Sequence, residues 1–310
     1  MKSPTFSFFL KRYLKYRSYH VRYASSKLSV VMVNVYLKPE PSWRVMDAFS
    51  LAESHRFYQN VLNSKISVGY KNRLVSAYKN MASFALRNHQ ITATVFSHIN
   101  AGLEPLPKLT AKKIERGTYT KEEIQRFLMA TREEDRLMFE LFCYLGARIS
   151  EFSGLTWDCF NPELGTMEIK QQLLDQHKGK WVLVKVLKTS ESYRVCPLPS
   201  RLTLQLKEYW SSLQVKKTSF IFSLTSSHST PYGKTTFRMR MDEAIIRAGL
   251  PRITPHCFRH SKATMLLSVC RNMEEAKAAA KFLGHSLTML METYGHAKEE
   301  TMVHLMERLE

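Results

Sequence analysis

The sequence predicts a mainly α protein with a small antiparallel β-sheet, divided into a helical N-terminal domain and a larger mixed C-terminal domain. Three observations predict this class. Residues 6–100 carry helical periodicity, Leu103–Arg116 interrupts it with prolines and basic residues, and short alternating segments between residues 166 and 198 are flanked by helical patterns. A chain of 310 residues is long enough to bury two cores of ordinary size.

The first domain rests on stripes such as Phe9, Tyr13 and Tyr16, then Leu74, Tyr78, Met81 and Ala85, which fall on one helical face. Basic residues are interleaved with them. Residues 1–110 hold 16 Lys and Arg against 4 Asp and Glu, within a chain of net charge +19, so a polyanion is the expected partner and nucleic acid the leading one. Lys65, Lys71, Arg73, Lys79 and Arg87 read either as the solvated face of a helix or as contacts to DNA phosphate. The scarcity of acids around them favours phosphate.

Pro105 and Pro107 make a continuous helix improbable after residue 103, which bounds the first domain at 1–108 and leaves 109–116 as a linker. Thr120-Lys-Glu-Glu123 matches a capping box and opens the second domain, 117–310. Its pattern is helical through Leu145, breaks at Gly146 and resumes at Arg148. Thr166–Leu173, Trp181–Leu187 and Ser192–Leu198 read as the strands of one small antiparallel sheet. Helices follow near 201–214, 234–249, 256–268, 273–283 and 287–294, with a last amphipathic stretch around 297–309.

Five cysteines, Cys143, Cys159, Cys196, Cys257 and Cys270, form no C-x-x-C pair, and an odd number argues against a disulfide framework. The apolar run Val30–Leu37 is broken by Asn34 and is too short to span a bilayer. A reducing cytoplasm without membrane attachment is the expected setting.

The candidate chemistry lies in the order Arg148, His256, Arg259, His285, Tyr294. Breaking a DNA phosphodiester without a metal requires cations on the non-bridging oxygens, a nucleophile in line and an acid for the departing 5′ oxygen. Arginine suits the clamp because its planar fork donates two parallel hydrogen bonds and keeps its charge. Pro255-His256-Cys-Phe-Arg259 begins a helix, and positions three apart share a face, so His256 and Arg259 can address one anion at a helix N-terminus. Leu283-Gly284-His285 closes a helix, and the step to Tyr294 spans a short one. A phenol of pKa ~10 becomes a nucleophile only where cations favour the phenolate. Taken singly, Arg148 reads as a surface residue and Tyr294 and His285 as core and capping residues; their joint register carries the sharper reading. His256, His260 and Cys257 invite a zinc reading, which Arg259 on the same turn and the lack of ligand spacing oppose. No metal and no cofactor are expected.

Gly146-Ala-Arg148-Ile-Ser-Glu151, His256-x-x-Arg259-His260, Leu283-Gly284-His285 and Thr293-Tyr294 together resemble the motifs of the tyrosine recombinase (phage integrase) family. The resemblance covers 117–310 well and 1–110 loosely. It implies that Tyr294 attacks a phosphate to give a 3′-phosphotyrosyl link, that Arg148 and Arg259 clamp the non-bridging oxygens, that His256 and His285 donate to the same phosphate or move protons, and that Glu151 braces Arg148. It further implies a hairpin lysine that protonates the leaving oxygen. Lys188 matches, with Lys178, Lys180 and Lys185 close by. Ala147 stands where the family often has a larger apolar residue.

The resemblance also implies a C-clamp on duplex DNA, made by a core-binding domain and a catalytic domain, and a homotetramer on two DNA sites. The C-terminal helix packs either on its own domain or on a neighbouring protomer, and accessory DNA-bending or directionality proteins are expected partners. The chain reads as starting directly with the core-binding domain, without an arm-binding domain. The expected function is an integrase of a phage or integrative element. The alternatives are a Xer-type resolvase or DNA invertase, a type IB topoisomerase, and a DNA-binding regulator with a spent active site.

Overall fold

The apolar stripe of residues 74–85 becomes the spine of the first of two contact-defined units, 1–114 and 115–310, in the computed structural model. The structure describes residues 4–20, 23–104, 117–177, 180–185, 187 and 190–294.

In the first unit, α1 (Phe6–His20) is followed by α2 (Tyr23–Val31), which runs on into a π turn (Met32–Leu37). After α3 (Val45–Ala48) come α4 (Leu51–Leu62), α5 (Val68–Arg87) and α6 (Ala93–Gly102). Each of the last three starts where a hydroxyl accepts an otherwise unmatched backbone N–H: Ser50 from Glu53, Ser67 from Tyr70 and Thr92 from Val95. Leu74, Tyr78, Met81 and Ala85 are fully buried on α5. Around them Phe6, Phe9, Tyr13, Phe49 and Phe84 form an aromatic core, with Phe9 edge-on to Phe49 at 6.0 Å.

In the second unit, α7 (Lys121–Met129) opens with the expected capping box: Thr120 Oγ1 accepts from Glu123 N at 3.2 Å, and Glu123 Oε2 accepts from Thr120 N at 2.8 Å. Then come α8 (Glu133–Leu145) and the single turn α9 (Ile149–Phe152). The strands are β1 (Phe160–Asn161), β2 (Thr166–Ile169), β3 (Gln172–His177), β4 (Lys180–Val184) and β5 (Arg194–Pro197). The chain returns to helix in α10 (Ser200–Ser211), α11 (Lys234–Arg247), α12 (Pro255–Val269), α13 (Met273–Leu283) and α14 (Leu287–Tyr294). Its core centres on Phe127, Phe139, Phe142, Phe152, Phe237 and Phe258.

The expected single sheet is two. β1, β2 and β5 pair antiparallel in that spatial order, whereas β3 and β4 form a separate hairpin. The stretch 166–173 divides at Gln171, whose buried amide donates to Gly154 O at 2.9 Å and Thr156 Oγ1 at 2.6 Å. Those bonds hold the chain against the turn after α9 and end its pairing with β5. Gly154 is required there, because a Cβ would stand 2.9 Å from Leu173 N. No described helix is long and apolar enough to cross a membrane.

Tyr78 ties α5 to α3: its buried hydroxyl donates to Ala48 O at 2.7 Å and sits 2.9 Å from Ser54 Oγ, while its ring stacks on Phe57 at 4.4 Å. Tyr78→Phe keeps the stacking and strands the carbonyl. A loss of about 1–2 kcal/mol is expected in the urea transition of this unit, and an unchanged midpoint would overturn the tie.

Candidate active site

The C-terminal turn of α8 begins the site. Gly146 takes a left-handed φ of +54°, which reverses the chain, and a Cβ there would meet Lys262 and Leu283 side chains at 3.1 Å. The reversal places Arg148 at the N-cap of α9, and Glu151 three residues on. Glu151 Oε2 accepts from Arg148 N at 3.2 Å, and Oε1 accepts from Arg148 Nη1 at 2.7 Å. One carboxylate therefore caps the helix and holds the guanidinium that starts it.

Glu151 has a second cation. Arg194, at the start of β5, donates from Nη2 to Glu151 Oε2 at 3.1 Å and from Nη1 to Ser192 O at 2.9 Å. The Arg194 side chain is wholly buried and that of Glu151 is 3% exposed, while Arg148 keeps 25% of its side chain open to solvent. Burial would raise the Glu151 carboxyl pKa, but the Arg194 and Arg148 charges outweigh it and hold the group below the usual range.

Arg259 lies within α12, where Pro255 starts the helix. It is fully buried and donates from Nη1 to Gly146 O at 2.8 Å, from Nη2 to Leu283 O, and from Nε to His285 Nε2 at 3.1 Å. The ends of α8 and α13 thus present carbonyls, the negative ends of two helices, to one guanidinium. His285 follows Gly284, whose φ of +66° ends α13. A Cβ on Gly284 would stand 3.0 Å from Arg194 Nη1, so glycine lets this turn approach the arginine.

Burial, then the charges of Arg259, Arg148, Arg194 and His256, push the His285 pKa down to about 3. The ring is neutral at neutral pH. Its Nε2 accepts from Arg259, which puts the ring proton on Nδ1. His256 is exposed at the start of α12, its ring 4.5 Å from that of buried His260.

The structure thus brings together Arg148, Glu151, Arg259 and His285, with His256 at the rim. Tyr294 is the last residue of α14, and its side chain lies outside the described residues, as do Lys188 and the stretch 297–309. Of Lys65, Lys71, Arg73, Lys79 and Arg87, the first, third and fifth are exposed. Lys71 instead donates to Leu62 O at 2.6 Å, and Lys79 to Asn100 O at 2.8 Å. Arg194 is the site residue the sequence reading missed. The signal was its inward position in β5, where Arg194 and Cys196 are buried and Val195 and Pro197 exposed.

A neutral buried histidine has a stability cost in acid, because the unfolded chain takes up a proton near pH 6.5 that the folded one refuses until about 3. Stability therefore falls as pH drops through that window, by at most about 1.4 kcal/mol per pH unit from this residue. His285→Gln is expected to flatten the decline of the urea midpoint between pH 6.5 and 4. A slope equal to wild type would refute the assignment.

Tyrosine recombinase XerD of Halalkalibacterium halodurans is 24% identical over 240 residues, 74% of this chain and 71% of that protein. Other curated relatives, an XerD and an XerC, are spanned over about half of their length, 50% and 48%. The fold is similar to that of the Tn1549 transposon integrase in complex with a circular intermediate DNA, with a TM-score of 0.75 and 18% identity over 99% of this chain and 100% of that one. It is also similar to a lambda integrase tetramer bound to a Holliday junction, with a TM-score of 0.64 and 15% identity over 96% and 80%. Residues 118–301, more than half of the chain, match the model of the phage integrase family, and the chain belongs to that family.

Proposed function

We propose that this protein is a site-specific DNA recombinase that breaks and rejoins strands through a 3′-phosphotyrosyl intermediate. The observation that carries the reading is the charge of the pocket. Among the described residues Arg148, Arg194 and Arg259 against the carboxylate of Glu151 leave two positive charges over, beside an imidazole that is neutral. A phosphodiester brings one negative charge and gathers a second as it becomes five-coordinate, so the site complements the transition state better than the substrate.

In this mechanism the Tyr294 phenol gives up its proton to solvent, favoured by the surrounding cations, and its oxygen forms a bond to phosphorus as the bond from phosphorus to the 5′ oxygen breaks. Lys188 gives that oxygen its proton. Arg148 and Arg259 neutralise the non-bridging oxygens, and His256 and His285 donate to the same phosphate. One ester replaces another, so the step needs no ATP, and the 5′ hydroxyl of a second strand reverses it. The DNA is duplex, and residues 1–108 supply the core-binding domain and 117–310 the catalytic one. Lys65, Arg73 and Arg87 contact its phosphates. Four protomers on two duplexes complete the exchange, an assembly supported by the lambda integrase tetramer on a Holliday junction.

Integration or excision of a mobile element is the main reading. The XerD likeness across 74% of the chain favours resolution of replicons as the second. The test is covalent capture from a pool of nicked duplexes with a randomised stretch. Wild type is expected to form an adduct that survives denaturation, and Tyr294→Phe to bind the captured duplex yet form none. An adduct retained by Tyr294→Phe moves the nucleophile elsewhere.

Lys188→Ala is expected to slow cleavage of the captured duplex by about 10²–10⁴-fold, the usual range for a general acid. Replacing the leaving 5′ oxygen by sulfur, which leaves without a proton, is expected to restore most of the rate. A thiolate substrate cleaved as slowly as the oxygen one would assign the proton to another group.

A further inference from the structure

We propose that Arg194 is a positioning residue for the strand-cleavage step, acting through Glu151 to keep Arg148 turned toward the scissile phosphate. The inference rests on the recombinase reading above.

One carboxylate is shared by two guanidinium groups. Arg148 reaches Glu151 through Nη1 to Oε1 alone, because Oε2 is occupied by Arg194 Nη2 at 3.1 Å and by Arg148 N at 3.2 Å. Arginine and a carboxylate prefer a two-pronged pairing. Without Arg194, Oε2 becomes available to the second prong, and the Arg148 fork turns edge-on to Glu151 instead of presenting donors to an incoming phosphate. Arg194 also shares the charge that Glu151 offers to Arg148.

Arg194 turns its donors toward the protein. Its side chain is wholly buried, Nη1 is committed to Ser192 O, and the Gly284 turn lies so close that a Cβ would meet Nη1 at 3.0 Å. A cation in such a place is costly unless its environment uses it. Here it meets the brace of the clamp on one side and the turn that carries His285 on the other.

The test compares wild type, Arg194→Met, Arg194→Lys and Glu151→Gln, alone and combined, by adduct formation in single turnover on the duplex that wild type captures. Binding is read by fluorescence anisotropy, and folding by circular dichroism. Arg194→Met is expected to lower the adduct rate tenfold or more with binding changed less than twofold. Its rate is expected to fall further as pH drops from 7 to 5, because Glu151 then loses the Arg194 charge that keeps it ionised. Arg194→Lys restores part of the rate and moves the acid limb back, and in the Glu151→Gln background the acid limb is absent. A merely structural role lowers the rate equally at every pH, and parallel profiles for wild type and both Arg194 variants overturn the proposal. Should Arg194→Met not fold, the profile of Arg194→Lys against wild type decides alone. Failure of wild type to form any adduct sinks the recombinase reading instead. The coupling of Arg194 to Glu151 is then read without DNA, from whether Arg194→Lys shifts the acid limb of urea unfolding to higher pH.

Discussion

A single buried carboxylate organises the candidate active site. Glu151 satisfies the first turn of α9, fixes Arg148 at its N-cap and neutralises part of Arg194, all with a side chain 3% exposed. Charges taken out of water are costly, and removing one member of such a set costs roughly 3–5 kcal/mol because its partners are left uncompensated. The cluster is a poor way to stabilise a fold compared with apolar packing. It is a good way to hold cations in a pocket before an anion arrives, which is what oxyanion stabilisation requires.

Arg259 extends the same logic to the backbone. Its guanidinium meets the carbonyls that α8 and α13 leave unmatched at Gly146 and Leu283, so the ends of two helices are fastened to one group. Both helices end in left-handed glycines, at φ +54° and +66°, which turn the following residues, Arg148 and His285, back into the same pocket. Sequence-distant segments converge because each is stopped at a defined point and the stops share a partner.

Much of this was legible locally. The Thr120–Glu123 capping box, the stripe from Leu74 to Ala85 and the boundaries of α12, α13 and α14 follow from short-range rules, and the motifs around Arg148, Arg259 and His285 gave the site its outline. Arg194 escaped because its alternation in β5 marks an inward position but not the partner that tolerates a charge there, which is Glu151, 43 residues earlier. The break between β2 and β3 escaped for a similar cause. Gln171 looks like an ordinary polar residue in an alternating run until its amide is seen to bond Gly154 and Thr156. Lys71 and Lys79 show the converse: charge density alone does not separate a lysine that meets a helix carbonyl from one that faces solvent.

The distribution of packing within the site assigns different duties to its parts. Arg259, Arg194 and Glu151 are locked by buried charge-assisted bonds, and displacing any of them breaks several at once. The helix carrying the proposed nucleophile is attached differently. Among the described side chains of α14, Leu290 is the fully buried one, set against Ala263, Ala279, Ala280 and Leu283, while Met289 and Met291 are 43% and 40% exposed. Freeing one leucine costs about 2 kcal/mol, far less than dismantling the arginine cluster. In the proposed reaction the arginine cluster is therefore the fixed reference, while the described part of α14 is held by apolar packing instead. That division suits chemistry in which a phenol must attack, stay bonded while strands change partners, and leave again.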